Sequence, residues 1–331
     1  MTLESSLRDA SVAVTSAMDG TFSTTGTTSA TANIQLHGDL ALSGYAGEVW
    51  TGLLRSAPKE GRQHQAVIEV GMHNYVQCLQ AATEGFQAHC FEPSPSSFQR
   101  ITNNIGVKTG GSPELKDRVH LYNVAAGSEE SSVPFVANGG TGDHVGQVDM
   151  WKMETISTSK ELTGNSEIIQ VPSQRLDSSL ATLPEPIFLL KIDTQGFEPQ
   201  VFAGLTHVLS SPNKPRFVLT EFWPRGMDVI AGKTNRECIG VSQVLQIMVN
   251  HGYRLYVLPV ESHPKAPIFR NLAKMQKTRP LDDVHKYCQW FYDLEDKHPS
   301  EEYKMGYWTD FLAVSADGEL PQELKELPVY V

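Results

Sequence analysis

One stretch of the chain places acids where an α/β protein does its chemistry: Leu189-Leu190-Lys191-Ile192-Asp193-Thr194-Gln195-Gly196-Phe197-Glu198. An apolar run of strand length ends in Asp193, and a glycine turn follows. Beyond Glu198, the residues Val201, Phe202, Leu205, Val208 and Leu209 fall on one helical face. Ligands of open α/β sheets bind outside the carboxyl ends of the strands. Asp193 therefore stands where a strand delivers a polar group into a site. A second apolar run, Phe217-Val218-Leu219-Thr220, ends in Glu221 and sets another acid on the same rim. A carboxylate so placed orients an acceptor or takes a proton from it. Glu198 equally suits the first turn of its own helix, where an acid is favourable. His73 and His144 titrate near neutrality and are proton acceptors by type, although a histidine in a polar loop is more commonly just solvated.

These motifs resemble the FkbM family of S-adenosylmethionine-dependent methyltransferases. That family's signature reads roughly Leu-Lys-Ile-Asp-Val-Glu/Gln-Gly-x-Glu, followed by a helix with Val-Leu-x-Gly. Leu190 to Gly196 and Glu198 match it, as does Val201-Phe202-Ala203-Gly204. Leu176-Asp177-Ser178-Ser179-Leu180 stands for the upstream Leu-Asp-Ser-Leu element, in which Asp177 reads as a turn or cap residue. The resemblance covers about residues 66 to 222. It implies a Rossmann-like methyltransferase fold and methyl transfer from S-adenosylmethionine. The expected acceptor is a hydroxyl on a small molecule, a sugar (glycan) or a lipid. The alternative is a relative that keeps the fold as a binding or regulatory protein without turnover.

The resemblance also implies a cofactor end. Glu69-Val70-Gly71-Met72-His73-Asn74-Tyr75 stands where the family reads Asp-x-Gly-Ala-Asn-x-Gly. Glu69 keeps the charge, and Gly71 lets a ligand approach backbone without a Cβ. Met72, His73 and Tyr75 depart from the pattern, with Asn74 standing in for the asparagine one residue late. Phe91-Glu92-Pro93-Ser94-Pro95 matches Phe-Glu-Pro-x-Pro, which implies that Glu92 binds ribose hydroxyls, as acids do in dinucleotide folds. Asn123-Val124-Ala125-Ala126-Gly127 resembles Asn-x-Ala-x-Gly and supplies a slot for adenine at Asn123 and Ala125. The cofactor-binding set is thus Glu69, Gly71, His73, Asn74, Glu92, Asn123 and Ala125. The catalytic set is Asp193 and Glu221.

The elements that must hold these residues alternate. Strand patterns at 66–71, 89–92, 119–122, 132–136, 186–192, 216–221, 253–258 and 308–314 are separated by helical patterns at 74–84, 95–105, 201–209 and 237–250. Such alternation means an α/β fold with a mostly parallel sheet and helices on both faces. In the family the sheet has about seven strands, the last antiparallel between the fifth and sixth. Residues 138–165 are polar and glycine-rich, a long loop suited to overhang the site. Residues 1–40 form a Ser/Thr-rich arm ahead of the domain at 41–331. An aromatic-rich insertion at about 260–307 reads as a lid or as a helical subdomain with its own small core.

Composition narrows the rest. The chain has 331 residues, 40% hydrophobic, enough for a packed core. A net charge of −11 disfavours nucleic acid as a partner, because phosphate binding needs a basic surface. No apolar run approaches the ~18 residues of a membrane span. The four cysteines form no Cys-x-x-Cys, so no metal site is indicated. Cys90 reads as a small core hydrophobe, and reduced thiols in the cytoplasm are the default.

Overall fold

Period-two alternation along the strands sorts the apolar side chains onto two faces, and helices cover both. The computed structural model describes residues 44–109, 112–138, 142–150, 152–164, 166–233, 236–258, 275–277, 283–297, 305–325 and 328–330. The arm at 1–40 lies outside them, as does much of the segment 260–307, including Phe269 and Tyr303.

In chain order, α1 (Gly44–Ser56) precedes β1 (Ala66–Val70), α2 (Val76–Thr83), β2 (Gln87–Phe91), α3 (Pro95–Lys108), α4 (Pro113–Lys116) and β3 (Val119–Tyr122). Six strands follow: β4 (Ala125–Ala126), β5 (Ser131–Ala137), β6 (His144–Val145), β7 (Val148–Asp149), β8 (Glu154–Thr155) and β9 (Glu167–Gln174). Next come α5 (Leu176–Leu180), β10 (Ile187–Ile192), α6 (Glu198–Ala203), α7 (Thr206–Ser210), β11 (Phe217–Phe222), α8 (Pro224–Ile230), α9 (Ile239–Asn250) and β12 (Tyr253–Val257). The chain closes with β13 (Met275–Lys277), α10 (Val284–Lys297), β14 (Thr309–Ser315), α11 (Gln322–Lys325) and β15 (Pro328–Tyr330).

The main sheet has seven strands in the order β12-β14-β11-β10-β1-β2-β3. β14 runs antiparallel to both of its neighbours, and every other pairing is parallel. The sheet is therefore mixed, with its last strand between the fifth and sixth. One face buries Ile68, Val70, Leu190, Ile192, Val218 and Phe222 against α5 to α7, α9 and α10. The other buries Val67, Leu189, Phe217, Leu219 and Leu312 against α1, α2, α3 and α11. Ser94 caps α3, its Oγ accepting the Ser97 amide at 3.4 Å. Among the described residues, no helix is long and apolar enough to cross a membrane.

Three expectations change. The single helical pattern at 201–209 is two helices, because the chain bends at Gly204. A Cβ there would lie 1.9 Å from the Gly127 carbonyl oxygen. Asp177 does act as a cap, its Oδ1 accepting the Val208 amide at 3.0 Å. The 138–165 segment is not a structureless loop: it carries β6, β7 and β8, and β9 follows it to pair antiparallel with β5. Burial in β9 alternates too weakly to mark a strand in the sequence. Finally, the aromatic residues of α10 form no separate core. Tyr287, Phe291 and Tyr292 pack into the main sheet's cluster beside Phe222 and Phe311.

The cysteines contradict the expectation of reduced thiols. Cys78 bonds Cys90, joining α2 to β2, and Cys238 bonds Cys288, joining the start of α9 to α10. No cysteine is free. The pairing was invisible in sequence because each partner belongs to a different element, brought near only by packing.

Candidate functional site

Register builds the site. Glu69, near the end of β1, is level with Lys191 of β10 on one side and Cys90 of β2 on the other. Ile192 pairs with Thr220, so the next residue, Asp193, comes level with Glu221, and Glu221 pairs with Asp310 of β14. The period of two points all of these side chains to the face covered by α1, α2 and α3. A row of carboxyls thus gathers at the carboxyl ends of the parallel strands, with Lys191 among them.

Asp193 is the accessible member, its side chain 31% exposed. Lys191 Nζ lies 3.1 Å from its Oδ2. Gln195 Nε2 donates to Asp193 Oδ1 at 2.9 Å and to Glu221 Oε1 at 3.3 Å. Gln195 holds this bridge from a left-handed backbone, φ 56°, a conformation that costs about 1–3 kcal/mol in a non-glycine residue. Glu221 is only 7% exposed, and among the described residues its Oε2 has no partner. Burial pushes its carboxyl well above the usual range, aided by Asp193, Glu198 and Asp310. Burial lifts Asp310 to about 7, with Asp193 adding to the shift. Burial pulls Lys191 down, but Asp193, Glu69 and Asp310 more than offset this, so its ammonium is held firmly. Glu198 accepts from the Thr194 amide at 2.7 Å and hydroxyl at 2.8 Å, closing the turn after β10. Burial raises it to about 7.

At the other end, Glu92 organises the loop after β1. The His73 amide donates to its Oε2 at 3.0 Å and the Ser94 amide to its Oε1 at 2.8 Å. Burial lifts Glu92 to about 7 against these bonds, and Asp143 of the 138–165 segment lies near enough to raise it further. His73 is left-handed, φ 41°, and its carbonyl accepts from Arg100 at 3.2 Å. Asn74 Oδ1 accepts the Val76 amide at 2.8 Å, closing the turn that leads into α2. Met72, which replaces the family's alanine, is buried in the core, and Tyr75 packs against the same cluster. Gly71 has φ +82°, and a Cβ there would lie 1.7 Å from the Asp193 carbonyl oxygen. Its bare backbone serves the meeting of two loops.

The remaining sequence candidates separate. Asn123 Nδ2 donates to the Glu92 carbonyl at 2.8 Å, tying the end of β3 to the turn after β2. Ala125 is buried in β4, within the cluster of Phe135, Val145 and Val171. His144 is buried, with its ring nitrogens 2.7 Å from the Gly142 carbonyl and 3.0 Å from that of Val148. It fastens its own loop and burial holds its pKa down. Sequence reasoning missed Asp310 and Lys191. The signal was there: a charge inside otherwise apolar strands, as in Thr309-Asp310-Phe311-Leu312 and Leu189-Leu190-Lys191-Ile192.

An S-adenosylmethionine molecule carries a sulfonium, an ammonium and ribose hydroxyls. The donor set here is acceptor-rich, with the orphaned buried oxygen of Glu221 in the row, and fits such a cationic, hydroxyl-bearing group. The family model described as the methyltransferase FkbM domain matches residues 69–255, more than half of the chain. No curated protein sequence matches. Among solved structures, the chain is similar to the methyltransferase FkbM from Methylobacillus flagellatus KT, with 13% identity and a TM-score of 0.36 over 58% of this chain. It spans 39% of that protein's length. It is also similar to a putative O-methyltransferase from Klebsiella pneumoniae, with 13% identity and a TM-score of 0.35, covering 82% of this chain and 90% of the other. A precorrin-6y C5,15-methyltransferase from Geobacter metallireducens GS-15 has 8% identity and a TM-score of 0.34, covering 82% and 88%. On the domain match, the chain belongs to the FkbM methyltransferase family.

Proposed function

We propose that this protein transfers a methyl group from S-adenosylmethionine to a hydroxyl of a small molecule, sugar or lipid. The observation that carries the reading is the row of strand-end carboxyls, with Asp193 accessible and Gln195 bridging it to Glu221. The bound cofactor would supply an electrophilic methyl. The chain's own work is to bind, align and deprotonate. Glu92, already fixed by two amides, accepts from the ribose hydroxyls, and Asn123 holds the turn beside it. Asp193, kept in place by Lys191 and Gln195, takes the acceptor's hydroxyl proton. Glu221 stands behind it and, through Gln195, fixes its orientation. Alignment alone contributes several kcal/mol to such a displacement.

The proposal takes the domain to be residues 41–331, with 1–40 as an appended arm. The cytoplasmic expectation drew in part on reduced thiols. Two cystine bridges instead suit an oxidising compartment.

Calorimetric titration with S-adenosylmethionine is the first test, and absence of binding sinks the reading. Transfer of labelled methyl to sugars, lipids and phenols is the second. With an acceptor in hand, Asp193→Asn should lower the rate by ~10²–10⁴-fold while the fold survives. A folded variant with full transfer would remove Asp193 from the mechanism. Cofactor binding without transfer to any hydroxyl would favour the binding-protein alternative.

A further inference from the structure

We propose that Glu69, Cys78 and Cys90 form a latent site for a thiophilic divalent cation such as zinc, closed while the two cysteines are bonded and opened when they are reduced. The carboxylate oxygen and the two sulfurs all lie within 4.8 Å of one another, and all three residues are buried. Three separate elements deliver them. Cys90 is level with Glu69 on the neighbouring strand, with both side chains on one face. Cys78 comes down onto that face from α2. Glu69 is 1% exposed, and among the described residues its Oε2 has no hydrogen-bond partner. An unpartnered carboxylate oxygen buried to this degree costs free energy unless something binds it.

The chemistry follows from the ligand types. A dithiol reductant passes two electrons and two protons to the sulfur–sulfur bond and itself becomes a disulfide. The two thiols so formed and the Glu69 carboxyl lose their protons to solvent as a cation binds them as thiolates and carboxylate. Zinc takes thiolate sulfur at about 2.3 Å and carboxylate oxygen at about 2.0–2.2 Å in a tetrahedron, which spaces two thiolates about 3.8 Å apart. Lys191, the strand neighbour of Glu69, offsets the negative charge of the ligands. The same residues would then tie α2 to β2 in either redox state, by a covalent bond or by a metal. Those elements flank the loop that Glu92 holds, so this part of the cofactor end would stay braced in reducing and oxidising surroundings alike. This inference does not depend on the methyl acceptor or on turnover.

Cobalt(II) is the probe, added to the full chain after reduction with a phosphine that is then removed under nitrogen. The reduced chain should bind one equivalent and show thiolate-to-cobalt charge-transfer absorption, which zinc abolishes by displacement. The oxidised chain should show none. Cys78→Ser should lose the absorption, whereas Cys238→Ser should keep it. Glu69→Gln, which preserves shape, should keep the absorption but weaken cobalt binding by about tenfold or more. Absence of the absorption in the reduced chain overturns the proposal, as does its persistence in Cys78→Ser. Unchanged affinity in Glu69→Gln removes the glutamate and with it the site as stated. That comparison and the oxidised control stand even if Cys78→Ser fails to fold.

Discussion

Two residues show how little freedom the proposed cofactor end has. Glu92 spends one lone pair of each carboxylate oxygen on the His73 and Ser94 amides, so its geometry is set before a ligand arrives. In the proposed complex, its charge-assisted bonds to two ribose hydroxyls would be worth ~1.5–3 kcal/mol each. Glu92→Ala should therefore weaken S-adenosylmethionine binding by about tenfold or more, read by calorimetry. Unchanged affinity would break the assignment. Gly71 answers to a different constraint. Its φ of +82° and the Asp193 carbonyl 1.7 Å from where a Cβ would stand leave no room for a side chain. Gly71→Ala should destabilise the fold by about 3 kcal/mol or more in denaturant unfolding. A near-neutral result would mean that the two loops part easily.

At the scale of elements, the second disulfide ties down the aromatic helix α10. It bridges Cys238 and Cys288 across 50 residues, and Tyr292 adds a hydroxyl bond to Asp228 at 2.6 Å. Arg225 and Arg236 both reach Glu295 of the same helix. A covalent tie across a loop of this length stabilises by about 2–5 kcal/mol. Paired substitution Cys238→Ala with Cys288→Ala should lower unfolding free energy by that amount and raise hydrogen exchange in α10 before the sheet. Loss confined to the β1–β2 side would contradict this placement. The mixed sheet bears on function at the same scale. By entering between β11 and β12, β14 sets Asp310 against Glu221 and deepens the carboxyl row.

For the whole molecule, the buried acids set a pH dependence. Burial lifts Glu92, Glu198 and Asp310 to about 7 and Glu69 to about 8, against 4.5 for free glutamate and 3.8 for free aspartate. The folded state then binds these protons more tightly than the unfolded chain, so stability is greatest while they are protonated and falls as pH rises. His89, lowered to about 4 from 6.5 by burial, acts in the opposite sense, but only below 6.5. Between pH 6.5 and 8 the carboxyls act alone, and the melting temperature should fall across that window. Glu69→Gln should flatten the upper part of the fall. A constant or rising melting temperature there would refute the account.

Sequence alone determined what depends on neighbours along the chain. The acids at the strand ends, Glu92, Asp193 and Glu221, and the Ser94-Pro95 helix start follow from residue type and short-range period, and the family resemblance rests on contiguous motifs. Those signals survive because strand and helix periodicities are local. Tertiary structure decided what depends on residues distant in sequence. It paired Cys78 with Cys90 and Cys238 with Cys288, set Asp310 beside Glu221 through an antiparallel strand, and turned the 138–165 segment into short strands. It also gave Gly71 its role, which is to admit the Asp193 carbonyl. None of these contacts leaves a periodic trace in the chain, because each depends on which elements pack together and in what register.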